Sequence, residues 1–155
     1  MNMLKSLADA QKTPFYLFDL DRLRARIGFI KKHLPENIKL CYAVKANPFI
    51  AEAVCSDVDK LELCSPGEFE ICRRLKLPPE KFVISGVYKD RVLINRLVCQ
   101  KHTPGLFTAE SAAQLNLLSE AAASAKKRIS VLLRLTSGGQ FGMDGRLIEN
   151  IIAGR

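Results

Sequence analysis

The sequence predicts an α/β fold in which β-strands and α-helices alternate around a parallel sheet. Five short apolar runs recur along the 155 residues, and segments with apolar residues at helical spacing follow them. The strand–helix unit repeats roughly every twenty to twenty-five residues, which is the pattern of right-handed βαβ units. The length allows one domain with a hydrophobic core.

The first helix is expected behind Asp19, a suitable N-cap, because apolar residues follow it at helical spacing over residues 20–34. Pro35 then ends the helical pattern. The run at residues 38–44 is rich in β-branched and aromatic residues and too short for a buried helix. We therefore expect it to form the first strand.

The second strand, expected at residues 60–63, leads into a well-marked helix start. Ser65 occupies the N-cap position, Pro66 the first helical position and Glu68 the third. Together these residues form a capping-box signature, in which two side chains satisfy backbone groups that a helix end leaves free.

The remaining units follow the same alternation. A helical pattern begins at Asp90, and Thr108 is interpreted as the cap of a long Ala-rich helix. A short helix is expected near Arg146. The strands between these helices are expected at residues 81–85, 104–107 and 129–135.

Two architectures contain such βαβ units, and the sequence favours the barrel. A doubly wound sheet normally carries a phosphate loop after its first strand, and neither GxGxxG nor GxxxxGK[ST] occurs in the chain. A complete TIM (β/α)8 barrel has eight units in about 250 residues. The fold class predicted is therefore a partial TIM barrel with about five βα units.

Composition and charge favour a cytoplasmic protein that does not bind a membrane, a metal or nucleic acid. The apolar runs are far shorter than a membrane span, and the two histidines lack ligands at metal-binding spacing. The formal charge of +8 is dispersed, and its clusters at residues 31–32 and 126–128 fall at helix ends. Five cysteines without a CxxC pair indicate reduced core thiols.

Lys45 is the main candidate for chemistry. It lies in Tyr42-Ala43-Val44-Lys45-Ala46-Asn47, directly after the first strand and at the carboxyl edge where barrel enzymes assemble their active sites. Partial burial there would favour a neutral, nucleophilic amine. Placement alone also allows an ordinary loop lysine.

Several separated blocks together resemble one enzyme family. YAVKAN is preceded by TPFYLFDLDRLRARI and followed by LELCSPGEFEICRRLKLPPEKFVISG, LLRL and GGQFGM. In order and spacing, from about residue 13 to 144, these blocks resemble the amino-terminal portion of fold-type III pyridoxal phosphate-dependent decarboxylases. This diaminopimelate and ornithine decarboxylase family uses an alanine racemase-like barrel.

The resemblance implies roles for particular residues. Lys45 would form the Schiff base with pyridoxal phosphate, and Ala43 would lie under the pyridine ring. Glu62 takes the place of an acidic residue near the cofactor, and Arg134 matches an arginine near its phenolic oxygen. Glu68 matches a glutamate in the helix cap behind the site.

Each of these residues also has a purely structural interpretation. Arg134, in an apolar strand, needs an anionic partner if it is buried, so a structural salt bridge competes with a site role. The capping box fully explains Glu68, and Glu62 at a strand end could equally face solvent. The glycines are first of all turn residues: Gly138, Gly139 and Gly142.

The function implied is decarboxylation of an amino acid, as a small-molecule substrate of the diaminopimelate or the ornithine/arginine type, in a parent enzyme expected to be a homodimer. One alternative is a non-catalytic carrier of pyridoxal phosphate. Another is an alanine racemase-like enzyme, whose motif continues with a tyrosine and a Gly-His-Gly segment. Here Pro48-Phe49 follows the lysine motif, and Phe49 has no hydroxyl to offer a phosphate.

The resemblance also implies that residues 1–155 form an incomplete cofactor-binding barrel domain, with residues 1–13 as an N-terminal extension. The family's phosphate-binding glycine loops, cofactor-stacking histidine and carboxyl-terminal β domain do not occur in this sequence. We therefore expect the 155 residues alone to lack decarboxylase activity and to be part of a longer enzyme.

Overall fold

The computed structural model describes residues 3–11, 14–138 and 141–154, and its centre is a sheet of five parallel strands. The strands are Cys41–Ala43 (β1), Lys60–Leu63 (β2), Phe82–Ile84 (β3), Leu106–Ala109 (β4) and Val131–Leu133 (β5). The helices are Met3–Ala10 (α1), Leu20–His33 (α2), Ala51–Cys55 (α3), Pro66–Arg74 (α4), Arg91–Cys99 (α5), Ala112–Ser124 (α6) and Gly145–Ile152 (α7).

The strand order decides between the two architectures. Neighbours in the sheet follow the chain, in the order β1-β2-β3-β4-β5, and all four pairings are parallel. A doubly wound sheet reverses direction at a switch point, whereas a barrel adds each strand beside the previous one. The described residues therefore form five consecutive units of a partial barrel, as predicted.

The two faces of the sheet differ in chemistry. On the outer face, Leu61 lies beside Phe82 and Leu63 beside Ile84, and all four belong to the buried core that the helices cover. On the inner face, Ala43 lies beside Glu62, and both are half-buried. Since side chains alternate between faces, this register places the core outside the sheet and leaves the inner face to a mixture of polar and apolar residues.

Two of the three predicted helix caps are confirmed, and the helical pattern predicted from Asp90 has its N-cap at that residue. Asp19, Ser65 and Asp90 are N-caps, and each side chain accepts a hydrogen bond from a backbone N–H three residues on. The cap predicted at Thr108 is wrong, because β4 continues through it and Ser111 caps α6 instead. A β-branched residue that ends an apolar run fits a strand as well as a cap.

The capping box at α4 is confirmed, with one difference in its partners. Ser65 Oγ accepts from Glu68 N–H at 3.3 Å and donates to Glu68 Oε1 at 2.8 Å. Glu68 Oε2 accepts from the N–H of Cys64 at 2.9 Å, one residue before the cap. This local network accounts for Glu68.

Strand limits and two helices differ from prediction. The first strand begins only at Cys41, because the N–H of Leu40 donates to Asp59 Oδ2 at 2.8 Å instead of joining the sheet. The fifth strand is likewise shorter than residues 129–135. Helices α1 and α3 were not predicted; α3 has only five residues, too few for a periodic signal.

The cysteines and the helix lengths bear on two further expectations. All five cysteines are free thiols, but the expectation that they lie in the core is only half right: Cys55 and Cys72 are buried, whereas Cys41 and Cys99 are exposed. Within the described residues, no helix is both long and apolar enough to cross a membrane.

A glycine between α5 and β4 provides a test of the packing. A Cβ at Gly105 would lie 2.1 Å from the backbone oxygen of Glu80, so Gly105→Ala must displace a loop. We expect a loss of about 1–3 kcal/mol in the free energy of unfolding, as for overpacked sites. Urea denaturation measures this loss.

The matched control is Gly28→Ala in α2, where a Cβ meets nothing within 4 Å. This change should stabilise the helix by roughly 0.5–1 kcal/mol. Equal stability of the Gly105→Ala variant and the unmodified chain would contradict the close approach of the backbone at Gly105 to that at Glu80.

Candidate active site

An open cavity of about 650 Å³ lies at the carboxyl edge of the sheet and is lined from all five strand ends. Its charged lining residues are Lys45, Glu62, Glu110 and Arg134. The volume falls within the range of roughly 300–1,000 Å³ that is typical of small-molecule sites. The carboxyl edge is also where barrel enzymes assemble their active sites.

Lys45 reaches this cavity from a short 3-10 turn at Val44–Ala46, directly after β1. The turn is held by the hydroxyl of Tyr42, which donates to the carbonyl oxygen of Asn47 at 2.9 Å. The lysine is exposed, so the partial burial expected from the sequence is wrong. An exposed inner face leaves its amine accessible to a ligand.

Glu62 faces the cavity from β2 and is held in place there. The hydroxyl of Ser85 donates to Glu62 Oε1 at 2.8 Å and lies 3.2 Å from the Cys64 sulfur. Ala43 pairs with Glu62 across the sheet, which places it on the same face. The structure thus brings Ala43, Glu62 and Lys45 together at one end of two adjacent strands.

Arg134 follows β5 and also lines the cavity, and it has an anionic partner although it is not buried. Its side chain is 53% exposed, and Nη1 lies 3.1 Å from Glu110 Oε2. The strand ends one residue earlier, at Leu133, so the arginine projects from the edge of the sheet. Both interpretations offered for Arg134 therefore hold at once: it lines the cavity, and it forms a salt bridge.

A buried polar cluster behind the cavity was missed at the sequence level. It consists of Lys89, Glu110 and Gln114, each no more than 9% exposed. Lys89 Nζ lies 3.7 Å from Glu110 Oε1 and donates to Gln114 Oε1 at 3.4 Å. It also donates to the carbonyl oxygen of Gly86.

Burial lowers the pKa of Lys89, although the neighbouring Glu110 carboxylate acts in the opposite direction. Desolvation disfavours the charged form of a buried amine, and here that effect exceeds the attraction of the carboxylate. Lys89 therefore depends on Glu110 more than a surface lysine would. The sequence offered a signal for Glu110, since this charged residue directly follows the fourth strand, two positions after Thr108, but the mistaken cap hid it.

Residues 20–144 match the family model described as pyridoxal-dependent decarboxylase, pyridoxal binding domain. The chain belongs to this family. The match covers most of the chain and includes every charged residue of the cavity, from Lys45 to Arg134. The predicted family and cofactor, pyridoxal phosphate, are thereby confirmed, and both the amine of Lys45 and the guanidinium of Arg134 line the cavity.

Relatives of this decarboxylase family member include diaminopimelate decarboxylases from Aquifex aeolicus (28% identical over 134 residues) and Corynebacterium efficiens (30% over 139 residues). The matches cover 85% and 87% of this chain but only 31% and 29% of those proteins. The lysine/ornithine decarboxylase of Selenomonas ruminantium is 30% identical over 89 residues, which are 56% of this chain and 22% of that one. The chain thus spans less than a third of these relatives.

Solved structures agree on the fold. A protein from Aquifex aeolicus matches with a TM-score of 0.81 and 27% identity, covering 97% of this chain and 37% of that one. A mutant diaminopimelate decarboxylase from Helicobacter pylori, complexed with L-lysine, has a TM-score of 0.80 and 21% identity, with 97% and 42% covered. The partial barrel therefore corresponds to one portion of a larger decarboxylase fold.

The buried cluster yields a stability prediction. Lys89→Met leaves the buried Glu110 carboxylate with one cation fewer, so we expect a loss of roughly 3 kcal/mol in the free energy of unfolding. Combining it with Glu110→Gln removes both charges and should recover part of that loss. Chemical denaturation of the two variants measures both effects.

Arg91→Met is the matched control, since it breaks the exposed ion pair with Glu120. It should change the free energy of unfolding by less than about 1 kcal/mol. A Lys89→Met variant as mildly affected as this control would show that the buried pair contributes little.

Proposed function

We propose that this chain holds pyridoxal phosphate in the carboxyl-edge cavity, as part of a decarboxylase acting on a basic or diamino amino acid. The observation that carries the proposal is the placement of Lys45: its accessible amine lies in the same cavity as Glu62 and Arg134. Membership of the pyridoxal-binding family supports the same site.

In this proposal Lys45 is the residue that would hold the cofactor through its side-chain amine. The exposed side chain on a fixed 3-10 turn can reach a ligand that enters from solvent. The chemistry that pyridoxal phosphate would supply there is an electron sink for decarboxylation. The protein contributes binding, orientation and local charge.

The neighbouring residues fit the other parts of the cofactor. Ala43 has the small side chain that leaves room for a flat ring against the inner face of the sheet. Glu62 is fixed by Ser85 and offers a carboxylate directly beside Ala43 on the adjacent strand. Arg134 offers donors in a planar fork, which suits an anionic oxygen.

The relatives support the substrate class. They are named diaminopimelate or lysine/ornithine decarboxylases, and solved neighbours are complexed with L-lysine or with putrescine. Diaminopimelate, lysine and ornithine are amino acids with a second amino group, and putrescine is a diamine without the carboxyl group. A homodimeric parent enzyme and a cytoplasmic location, both expected from the sequence, form part of the same proposal.

The direct test is covalent trapping on this chain. After incubation with pyridoxal phosphate and reduction with borohydride, peptide mapping should find the label on Lys45. Lys45→Ala should abolish that label, because Lys89 has no exposed side-chain surface and cannot replace it.

Lys32→Ala, an exposed lysine in the last turn of α2, is the matched control and should leave the labelling of Lys45 unchanged. Equal labelling of many lysines would mean nonspecific modification and would contradict the proposal. The longer enzyme expected to contain this chain separates the two functions: release of carbon dioxide from diaminopimelate, lysine or ornithine supports a decarboxylase, whereas specific labelling without release supports the carrier function.

A further inference from the structure

The carboxylate of Glu110 connects the buried cluster to the cavity, and its two oxygens face different partners. Oε1 accepts from the N–H of Gly86 at 2.8 Å and lies 3.7 Å from Lys89 Nζ. Oε2 lies 3.1 Å from Nη1 of Arg134. One oxygen is therefore fixed from behind, and the other is presented to a cation at the cavity.

The two members of this ion pair differ sharply in burial. The side chain of Glu110 is 4% exposed, whereas that of Arg134 is 53% exposed. A half-exposed arginine retains many rotamers unless a fixed partner restrains it. Since Glu110 is held by buried groups, it can act as that partner, and the guanidinium takes its position from the carboxylate.

The backbone around Glu110 reinforces this geometry. Its carbonyl oxygen accepts from the N–H of Gly142 at 3.1 Å, and the preceding carbonyl, that of Ala109, accepts from the N–H of Arg134 at 2.9 Å. Through its side chain Glu110 also reaches Gly86, just beyond β3. The residue thus ties together the chain segments that follow three neighbouring strands.

We propose that Glu110 is a positioning residue that holds the Arg134 guanidinium at the cavity, ready to meet an anionic oxygen of pyridoxal phosphate. This inference rests on the proposed function for the identity of the ligand, but the tether itself belongs to the unliganded chain. Glu110 acts through Arg134 because both of its oxygens are engaged and its charge would repel an anion directly.

The tether is tested without cofactor by the rate at which phenylglyoxal modifies Arg134, followed by peptide mapping. In Glu110→Gln the guanidinium loses its charged partner, and we expect the rate at Arg134 to rise roughly fivefold. Arg91, paired with Glu120, is the internal control and should react at an unchanged rate. An unchanged rate at Arg134 would overturn the proposal.

Glu110→Asp guards against a misfolded glutamine variant. It keeps a negative charge beside Lys89 but is one methylene too short to reach both Lys89 and Arg134. Circular dichroism should show a folded protein, and the modification rate at Arg134 should still rise. A folded Glu110→Asp variant with the unmodified chain's rate would also contradict the tether.

A double-mutant cycle then tests the link to the cofactor. Glu110→Gln and Arg134→Met should each weaken uptake of pyridoxal phosphate about tenfold, measured by the visible absorbance of the bound cofactor. The double variant should bind no more weakly than Arg134→Met alone. Independent, multiplying losses would show that Glu110 does not act through Arg134.

The cycle also separates this inference from the proposed function. If the unmodified chain takes up no pyridoxal phosphate at Lys45, the cofactor assignment fails for this chain, and the ligand part of the inference fails with it. A raised reactivity of Arg134 in Glu110→Gln would still establish the tether. Uptake with an unchanged reactivity supports the proposed function and rejects the positioning role.

Discussion

Parallel pairing of consecutive strands is the constraint on which the site depends. Because each strand is added beside the previous one in the same direction, residues far apart in the chain reach one edge of the sheet. The register sends apolar side chains outward to the helices and leaves the inner face to residues such as Ala43 and Glu62. Lys45 and Arg134 meet at one cavity for this reason, although 89 positions, 134 minus 45, separate them.

The polar groups at this edge form two layers with different roles. The buried layer consists of Lys89 and Glu110, which are hydrogen-bonded, so each residue needs the other to offset the free-energy cost of burial. The exposed layer consists of Lys45 and Arg134, which are available to a ligand at the cavity. The layers are joined by the ion pair between Glu110 and Arg134, and support of this kind from behind helps to preorganise a binding site.

Much of this organisation was predictable, and the failures have physical causes. Apolar runs and cap residues located all five strands and three helix starts, because those signals are local. The Thr108 error arose because a β-branched residue suits a strand end and a cap equally, and it concealed Glu110. The partial burial expected of Lys45 was wrong, since exposure depends on what covers the inner face, and no local pattern records that.

The most direct test of this account is an amide NMR titration of the chain with pyridoxal phosphate. Chemical-shift changes should cluster at the carboxyl edge: around Lys45, Glu62 to Cys64, Ser85 to Val87, Thr108 to Glu110, and Arg134. The amino-terminal ends of the same strands, such as Lys60 and Leu106, should change little. Shifts concentrated at that opposite edge, or spread evenly over the surface lysines, would contradict the claim that the parallel strands converge on a cofactor site.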